Sequence, residues 1–448
     1  MTRKEFQELA ASRILILDGA TGSNLLKRGM PQGACPELWI AEHPQVLAGL
    51  QQEYVEAGSD IVYAPTFGGN RIKLQEYGLA ERMEELNQAL VRISREAVDG
   101  RALVAGDLTM TGAQLEPMGD LTFDQLVEVY REQAAMIAQA GVDLIGIETM
   151  MSLQETRAAV LAVREVCDLP VIATMSFQKN GMTLYGVSAQ SAVAVLQGLG
   201  VDAVGLNCSA GPDDMLEVVR QMKEISKVPV IVKPNAGLPV LNPDGTASYT
   251  MTAEDFCGHM EALLAAGADI VGGCCGTSPE FIRLLSQQAE KHVRETEPSR
   301  EAVRVLLATE RRVYSLVSGQ KLTIGRDIDF SVNDELAEEY REDCFDTAVD
   351  LAFDQEDCDM IRLASKAEGI CEKEALLALA QEVSGSVNVP CMLASDSVET
   401  LEYVIRHFSG IMAIELGYNQ EEWKTKIISM AQAYQVPLVT LDNEIIYC

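Results

Sequence analysis

Three cysteines lie at the ends of two apolar segments and could bind one metal ion. Cys274 and Cys275 are neighbours in the sequence GGCCG, and Cys208 follows an apolar run in the sequence GLNCS. Adjacent side chains on a strand point to opposite faces. Both can therefore reach one ion only where the strand bends, and the flanking glycines allow such a bend. Three thiolates make a zinc site with one open position, which is typical of catalytic rather than structural zinc.

Spacing alone leaves other interpretations open. A cysteine at the end of a strand is commonly a small buried apolar residue. The adjacent pair could also be a coincidence or form a vicinal disulfide. The 11 cysteines are odd in number and lie mostly inside apolar segments, unlike a secreted disulfide framework. The charged N-terminal segment shows no signal peptide, and no apolar run approaches roughly 18 residues. We therefore expect a cytoplasmic protein with no membrane span.

The charge of the chain excludes two classes of partner. Lys and Arg total 35 against 67 Asp and Glu, which gives a formal net charge of −32. Such a surface repels phosphate backbones and anionic lipid. We expect neither nucleic acid nor a membrane surface as a partner.

A repeated pattern of an apolar run followed by an amphipathic segment predicts an α/β fold. Buried parallel strands read as continuous apolar runs and need helical crossovers, and eight such units are the number in a (β/α)₈ TIM barrel. An open doubly wound sheet is the alternative. Polar residues at the run ends favour the barrel, where they would face one mouth: Asp18, Glu148, Asn207 and Cys274. The eight runs are Ile14–Ala20, Ile61–Phe67, Ala102–Leu108, Leu144–Met150, Val171–Phe177, Ala203–Ser209, Val230–Gly237 and Asp269–Gly276.

The sequence divides into two domains. We assign residues 1–293 to the barrel, the polar segment 294–304 to a linker, and residues 305–448 to a smaller, incomplete α/β domain. The second domain has weaker runs, at Leu322–Gly325, Met360–Leu363, Cys391–Ala394, Ile411–Ile414 and Leu438–Leu441. About five strands are too few for a second closed barrel.

The barrel sequence resembles the homocysteine S-methyltransferase family. The motifs that carry the resemblance are GGCCGTSPE from Gly272, GLNCS from Gly205, DGATG from Asp18, TFGGNR from Thr66, Glu148-Thr149, and PNAG from Pro234. The sequence departs from the family at Pro65 and Phe281. The resemblance implies a zinc-dependent methyltransferase in which Cys208, Cys274 and Cys275 bind Zn²⁺. Homocysteine would take the fourth position as a thiolate and attack a methyl group.

The same resemblance places the amino-acid end of homocysteine near the first and fourth strands. Asp18 and Glu148 are candidate anions for its ammonium group, and the N–H groups of Gly19 and Ala20 are candidate donors to its carboxylate. An isolated Asp18 could instead cap the following helix. Asn207 could orient Cys208 or the substrate, or serve as an ordinary turn residue.

The methyl donor is less defined, because family members use methylcobalamin, betaine or S-methylmethionine. The C-terminal domain resembles part of a pterin-binding domain but lacks polar residues expected at its strand ends. No cobalamin-binding motif of the type Asp-x-His-x-x-Gly occurs in the sequence. We expect methylcobalamin to come from a separate corrinoid protein, if it is the donor. The alternative from another class is a non-catalytic scaffold subunit, which the intact cysteine set disfavours.

Overall fold

The chain folds into two compact units, each with its own main sheet. The computed structural model describes residues 1–242, 247–293, 304–417 and 421–447. One unit comprises Met1–Gln197 and Val201–Thr296, and the other Gly198–Gly200 and Glu297–Cys448. The linker predicted at 294–304 lies outside the described residues apart from Arg304, which begins a strand.

The first unit is a (β/α)₈ barrel, as the sequence predicts. Its sheet has the order β1-β8-β7-β6-β5-β4-β3-β2, with neighbouring strands parallel. A parallel bridge between Leu17 and Ile61 joins the end of β1 to β2 and closes the barrel. The strands β1 to β8 are Leu15–Ile16, Ile61–Ala64, Leu103–Leu108, Leu144–Met150, Val171–Met175, Ala203–Asn207, Val230–Lys233 and Ile270–Val271.

One helix follows each strand and supplies the crossover that parallel pairing requires. Several begin at a Ser or Thr side chain that accepts from a backbone N–H three residues on, as Thr122, Ser152 and Thr252 do. These eight helices are Pro44–Glu56, Met83–Val98, Phe123–Gln139, Leu153–Val166, Ala189–Gly198, Leu216–Lys223, Ala253–Ala265 and Pro279–Ala289. Shorter helices are Gly22–Lys27, Pro36–Glu42 and Arg71–Glu76, with 3₁₀ turns at Ala80–Arg82 and Pro212–Asp214.

An N-terminal helix, Arg3–Ser12, packs into the bottom of the barrel. Its Phe6 and Ala10 are buried in one apolar cluster with residues from all eight strand segments. Because side chains fill this end, substrates have access only from the other end, where the strands terminate. The strand residues in the cluster are Leu15, Leu17, Ile61, Tyr63, Ala105, Leu144, Ile172, Ala203, Ile231 and Ile270.

The second unit contains a six-stranded sheet and an antiparallel hairpin. The first five strands of the sheet are parallel and the sixth is antiparallel. The sheet strands are Ile328–Asp329, Ile361–Ala364, Cys391–Leu393, Ala413–Glu415, Leu438–Val439 and Ile445–Ile446, and the hairpin strands are Arg304–Ala308 and Val313–Val317. Its helices are Asp334–Arg341, Asp346–Phe353, Glu372–Ser386, Val398–His407 and Glu421–Tyr434.

One strand expected in this unit is absent. The run Leu322–Gly325 is not a regular strand, although its backbone is hydrogen-bonded on both sides: the Gly325 N–H donates to the Met360 carbonyl at 2.9 Å and the Leu322 N–H to the Asn443 carbonyl at 2.8 Å. The first sheet strand is Ile328–Asp329. The apolar side chain of Leu322 in this run is nevertheless buried, with 4% of its surface exposed. Within the described part of the chain, every helix is too short or too polar to span a bilayer.

Candidate metal centre and substrate pocket

The barrel brings the three predicted cysteines together at its mouth. The sulfur atoms of Cys208, Cys274 and Cys275 all lie within 4.8 Å of one another. Among the described residues, no other trio of His, Cys, Asp or Glu side chains has its ligand atoms so close. Such a group of soft donors is able to hold one metal ion.

Backbone bends after β6 and β8 bring the three sulfur atoms close together. Cys208 and Ser209 both have left-handed backbone conformations, with φ of 61° and 58°. Gly276 is left-handed as well, and a side chain there would meet the ring of Tyr249 at 2.4 Å. The Cys274 N–H donates to the Pro234 carbonyl at 2.7 Å, which ties the β8 bend to the segment after β7. The predicted bend at the glycines is present, and a second bend at Cys208 occurs without glycine.

The three thiols differ strongly in acidity. Hydrogen bonds from the Cys274 and Cys275 thiols hold the pKa of Cys208 well below its ordinary value. The same interaction raises the pKa of Cys274 well above the ordinary value and that of Cys275 to about 11. One proton is therefore lost readily and two are retained, and a bound cation would have to displace those two.

Two buried asparagine amides support the cysteine group. Asn207 Nδ2 lies 3.8 Å from Cys274 Sγ and donates to Thr149 Oγ1 at 2.8 Å, and its Oδ1 accepts the Thr149 N–H at 2.8 Å. It therefore connects β4 to Cys274. The Asn235 side chain hydrogen-bonds to Cys208. Asn235 Oδ1 is buried and has no hydrogen-bond partner among the described residues.

A cavity of about 280 Å³ opens beside the sulfur atoms. Its lining includes every predicted site residue except Asn207, which is fully buried behind the strand ends. The predicted residues that line it are Asp18, Gly19, Ala20, Glu148, Cys208, Cys274 and Cys275.

The first strand places Asp18 and the following turn in this cavity. Asp18 Oδ2 accepts the Tyr63 N–H at 2.9 Å, so this side chain ties β1 to β2 and does not cap a helix. A side chain at Gly19 would meet the Tyr54 hydroxyl at 2.7 Å, so only glycine fits there. The Ala20 N–H already donates to Thr277 Oγ1 at 3.1 Å, which leaves Gly19 as the better candidate donor of the predicted pair.

The fourth strand places Glu148 in the cavity at a distorted strand end. The pairing of β4 with β5 shifts register between Ile147 and Met150, and Thr149 is left-handed with φ of 61°. Bulges of this kind re-aim side chains beside functional sites. Glu148 Oε2 accepts a hydrogen bond from Lys233 Nζ at 2.7 Å.

Three further charged residues line the cavity, Lys233, Asp107 and Glu37. Lys233 is 3% exposed, and its Nζ lies 3.9 Å from the centroid of the Tyr63 ring. Burial alone would lower the pKa of Lys233, but Glu148, Tyr63 and Asp18 outweigh burial and raise it. Burial raises the pKa of Asp18 to about 7 and that of Asp107 well above its ordinary value. Asp107 Oδ1 is buried without a hydrogen-bond partner among the described residues.

Glu37, Lys233 and Asp107 were not predicted from the sequence, although a signal was present for Lys233 and Asp107. Both are charged residues near the end of an apolar strand run. The same criterion selected Glu148. What the sequence did not show is that these residues face one another across the barrel.

Comparisons with known proteins agree with this architecture. Residues 15–289 match the family model for homocysteine S-methyltransferase. The methionine synthase of Mycobacterium tuberculosis is 29% identical over an alignment of 470 positions, which covers 98% of this chain and 39% of that protein. The methionine synthase of Mycobacterium leprae is also 29% identical, over 90% of this chain and 35% of its own length. The chain thus spans well under half of these relatives.

Solved structures support the fold. The homocysteine methyltransferase MmuM from Escherichia coli, in its metallated form, superposes with a TM-score of 0.54 and 22% identity. The match covers 63% of this chain and 98% of that one.

Fold and site together define a (β/α)₈-barrel protein with a three-cysteine group at the barrel mouth. With its family model matched over most of the barrel, the chain belongs to the homocysteine S-methyltransferase family.

Proposed function

We propose that the barrel uses a zinc ion held by Cys208, Cys274 and Cys275 to transfer a methyl group to the sulfur of homocysteine, giving methionine. The observation that carries the proposal is the group of three sulfurs within 4.8 Å, beside a cavity lined by buried carboxyl groups. Family membership supports the reaction class, and the donor set supports the metal.

The residues present fit zinc. Three thiolates leave one position for a substrate, which is the pattern of catalytic zinc. Asn235 Oδ1 is a buried oxygen without a partner among the described residues, beside Cys208, and a cation nearby would satisfy it. Zinc, when bound, would keep a coordinating thiol deprotonated at neutral pH.

The residues of the chain itself would bind and orient the amino-acid end of homocysteine. Glu148 and Asp18 line the cavity and supply negative charge for the ammonium group. The Gly19 N–H is the candidate donor to the carboxylate. Asn207 and Asn235 hold the cysteines in place through amide contacts with Cys274 and Cys208.

We further propose methylcobalamin, carried by a separate corrinoid protein, as the methyl donor. The support is that two relatives of this chain are methionine synthases. No motif of the cobalamin-binding type Asp-x-His-x-x-Gly occurs in the 448 residues. Betaine and S-methylmethionine are the alternative donors.

The test is a metal analysis combined with parallel activity assays. We expect one zinc per chain, and methyl transfer to homocysteine with methylcobalamin but not with betaine or S-methylmethionine. Cys274→Ala should lose zinc and activity while the barrel still folds, because the site lies at the mouth and not in the core.

Cys257→Ala is the matched control. Cys257 is a buried cysteine on the helix Ala253–Ala265, and its replacement should leave zinc content unchanged. Full activity in a metal-free preparation would refute the metal proposal. Activity with betaine or S-methylmethionine alone would refute only the choice of donor.

A further inference from the structure

Lys233 is a buried cation that the proposed reaction does not yet use. It is the last residue of β7 and is 3% exposed. Its Nζ lies 2.7 Å from Glu148 Oε2 and 3.9 Å from the centroid of the Tyr63 ring. These contacts fix the ammonium group between β2 and β4, across the barrel from its own strand.

The Lys233 contact also fixes the orientation of Glu148. Only Oε2 takes part in the bond to Lys233, so the carboxylate retains Oε1 for a ligand in the cavity. Charge-assisted hydrogen bonds are short and directional, so holding one oxygen limits rotation of the whole carboxylate.

The carboxyl groups around the cavity favour the binding of a second ammonium group. The lining contains four buried carboxyl groups, those of Asp18, Glu37, Asp107 and Glu148, and one lysine, Lys233. A buried carboxylate without a counter-ion is strongly disfavoured. Lys233 supplies such a counter-ion to Glu148, and Asp107 Oδ1, which has no hydrogen-bond partner among the described residues, offers a further acceptor in the cavity.

We propose that Lys233 is a positioning residue that orients Glu148 toward the ammonium group of an α-amino acid thiol. It thereby sets the preference of the cavity for such thiols over thiols that lack an amine. The inference rests on the proposed function, because it takes homocysteine as the substrate.

The experiment measures thiol binding to the zinc-loaded full chain by calorimetry. Homocysteine is compared with 4-mercaptobutanoate, which has the same thiol and carboxylate but no amine. Lys233→Met should weaken homocysteine binding by ~10-fold to 100-fold, the range for a hydrogen bond to a charged group. Binding of 4-mercaptobutanoate should not change, and Lys233→Arg should restore most of the homocysteine affinity.

Lys223→Met is the matched control. Lys223 also pairs with a carboxylate, Asp269, at 3.2 Å, but at the opposite end of the barrel. Zinc content and melting temperature are measured for every variant. The control should bind both thiols as the parent does.

A second comparison covers the case in which Lys233→Met does not fold. Glu148→Gln is compared with the double variant Lys233→Met/Glu148→Gln, which leaves neither charge unpaired. Equal homocysteine affinity in the two supports a role for Lys233 through Glu148, and a further loss in the double variant overturns it.

Two other results overturn the inference. One is parental homocysteine affinity in Lys233→Met, and the other is an equal loss for both thiols, which indicates a merely structural ion pair. Homocysteine binding by the parent chain tests the proposed function separately. If the parent binds no homocysteine, the proposed function fails, whereas parental binding together with either result above overturns only the role of Lys233.

Discussion

Asp18 and Glu148 are both buried carboxyl groups in one cavity, but their partners differ. Glu148 is paired with a lysine ammonium, whereas Asp18 accepts a hydrogen bond from the backbone N–H of Tyr63. Burial consequently raises the pKa of Asp18 to about 7.

Asp18 should make homocysteine binding depend on pH near neutrality. Its carboxyl is protonated below about pH 7 and charged above it, so attraction for the substrate ammonium grows as the pH rises through 7. Asp18→Asn removes this titration. We expect the ratio of parent to variant affinity, measured by calorimetry, to be larger at pH 8 than at pH 6. The same ratio at both values would contradict the assignment of Asp18.

Glu148→Gln should weaken homocysteine binding by about 1.5–3 kcal/mol, since it replaces a charged acceptor by a neutral one. Zinc content should not change, because Glu148 is not one of the three sulfur ligands. Calorimetry and metal analysis on the same preparation check both statements. Parental affinity in this variant would remove Glu148 from the substrate site.

Charged or reactive residues at the ends of apolar runs were predictable from the sequence, because parallel strands end at one mouth. The residues found in this way include Asp18, Glu148 and Cys274. The pairing of Glu148 with Lys233 was not predictable, because it depends on which strands face each other across the closed barrel.

At the scale of elements, long apolar runs and capped helices were located well from the sequence. The helices Leu153–Val166 and Pro44–Glu56 lie between the apolar runs, where the sequence predicts amphipathic segments. The short strand Ile328–Asp329 was missed, because two residues carry no periodicity and Asp327 and Asp329 are charged. Its place in the sheet comes from tertiary pairing with Leu363 and Ala364.

The N-terminal helix should contribute substantially to barrel stability. Phe6 is fully buried among residues of the eight strand segments. Phe6→Ala should lower the free energy of unfolding by about 3–5 kcal/mol, the usual cost of a large cavity. Urea unfolding followed by circular dichroism measures the change.

Phe353→Ala is the comparison for that prediction. Phe353 lies on a helix of the second unit and is 51% exposed, so its removal should have a much smaller effect. Equal losses in the two variants would show that the helix does not close the barrel as described.

At the scale of the whole molecule, we predict that the second unit binds no folate. Its sheet has six strands of two to four residues, fewer than the eight of a (β/α)₈ barrel. Arg362 donates from Nε and Nη2 to Glu415 at 3.0 Å each and is also near Asp327 and Asp329. Arg362 and these carboxylates therefore form ion pairs with one another. The net charge of −32 further disfavours the binding of a polyanionic ligand such as a folate.

Calorimetry of the full chain with methyltetrahydrofolate tests this prediction. We expect no heat of binding at micromolar concentrations, and homocysteine in the same experiment serves as the positive control. Micromolar binding of the folate would refute the prediction.

The order in which the chain is synthesised adds a constraint that follows from barrel closure. Leu15 on β1 pairs with Ile270 on β8, so the first and last strands must meet before the barrel is complete. Cys208 precedes that last strand and Cys274 follows it, and the two sulfurs share a site only after closure. Contacts this distant in sequence form late during folding. A nascent chain on the ribosome would therefore expose the three proposed ligand thiols separately, and metal loading would have to wait for the arrival of β8.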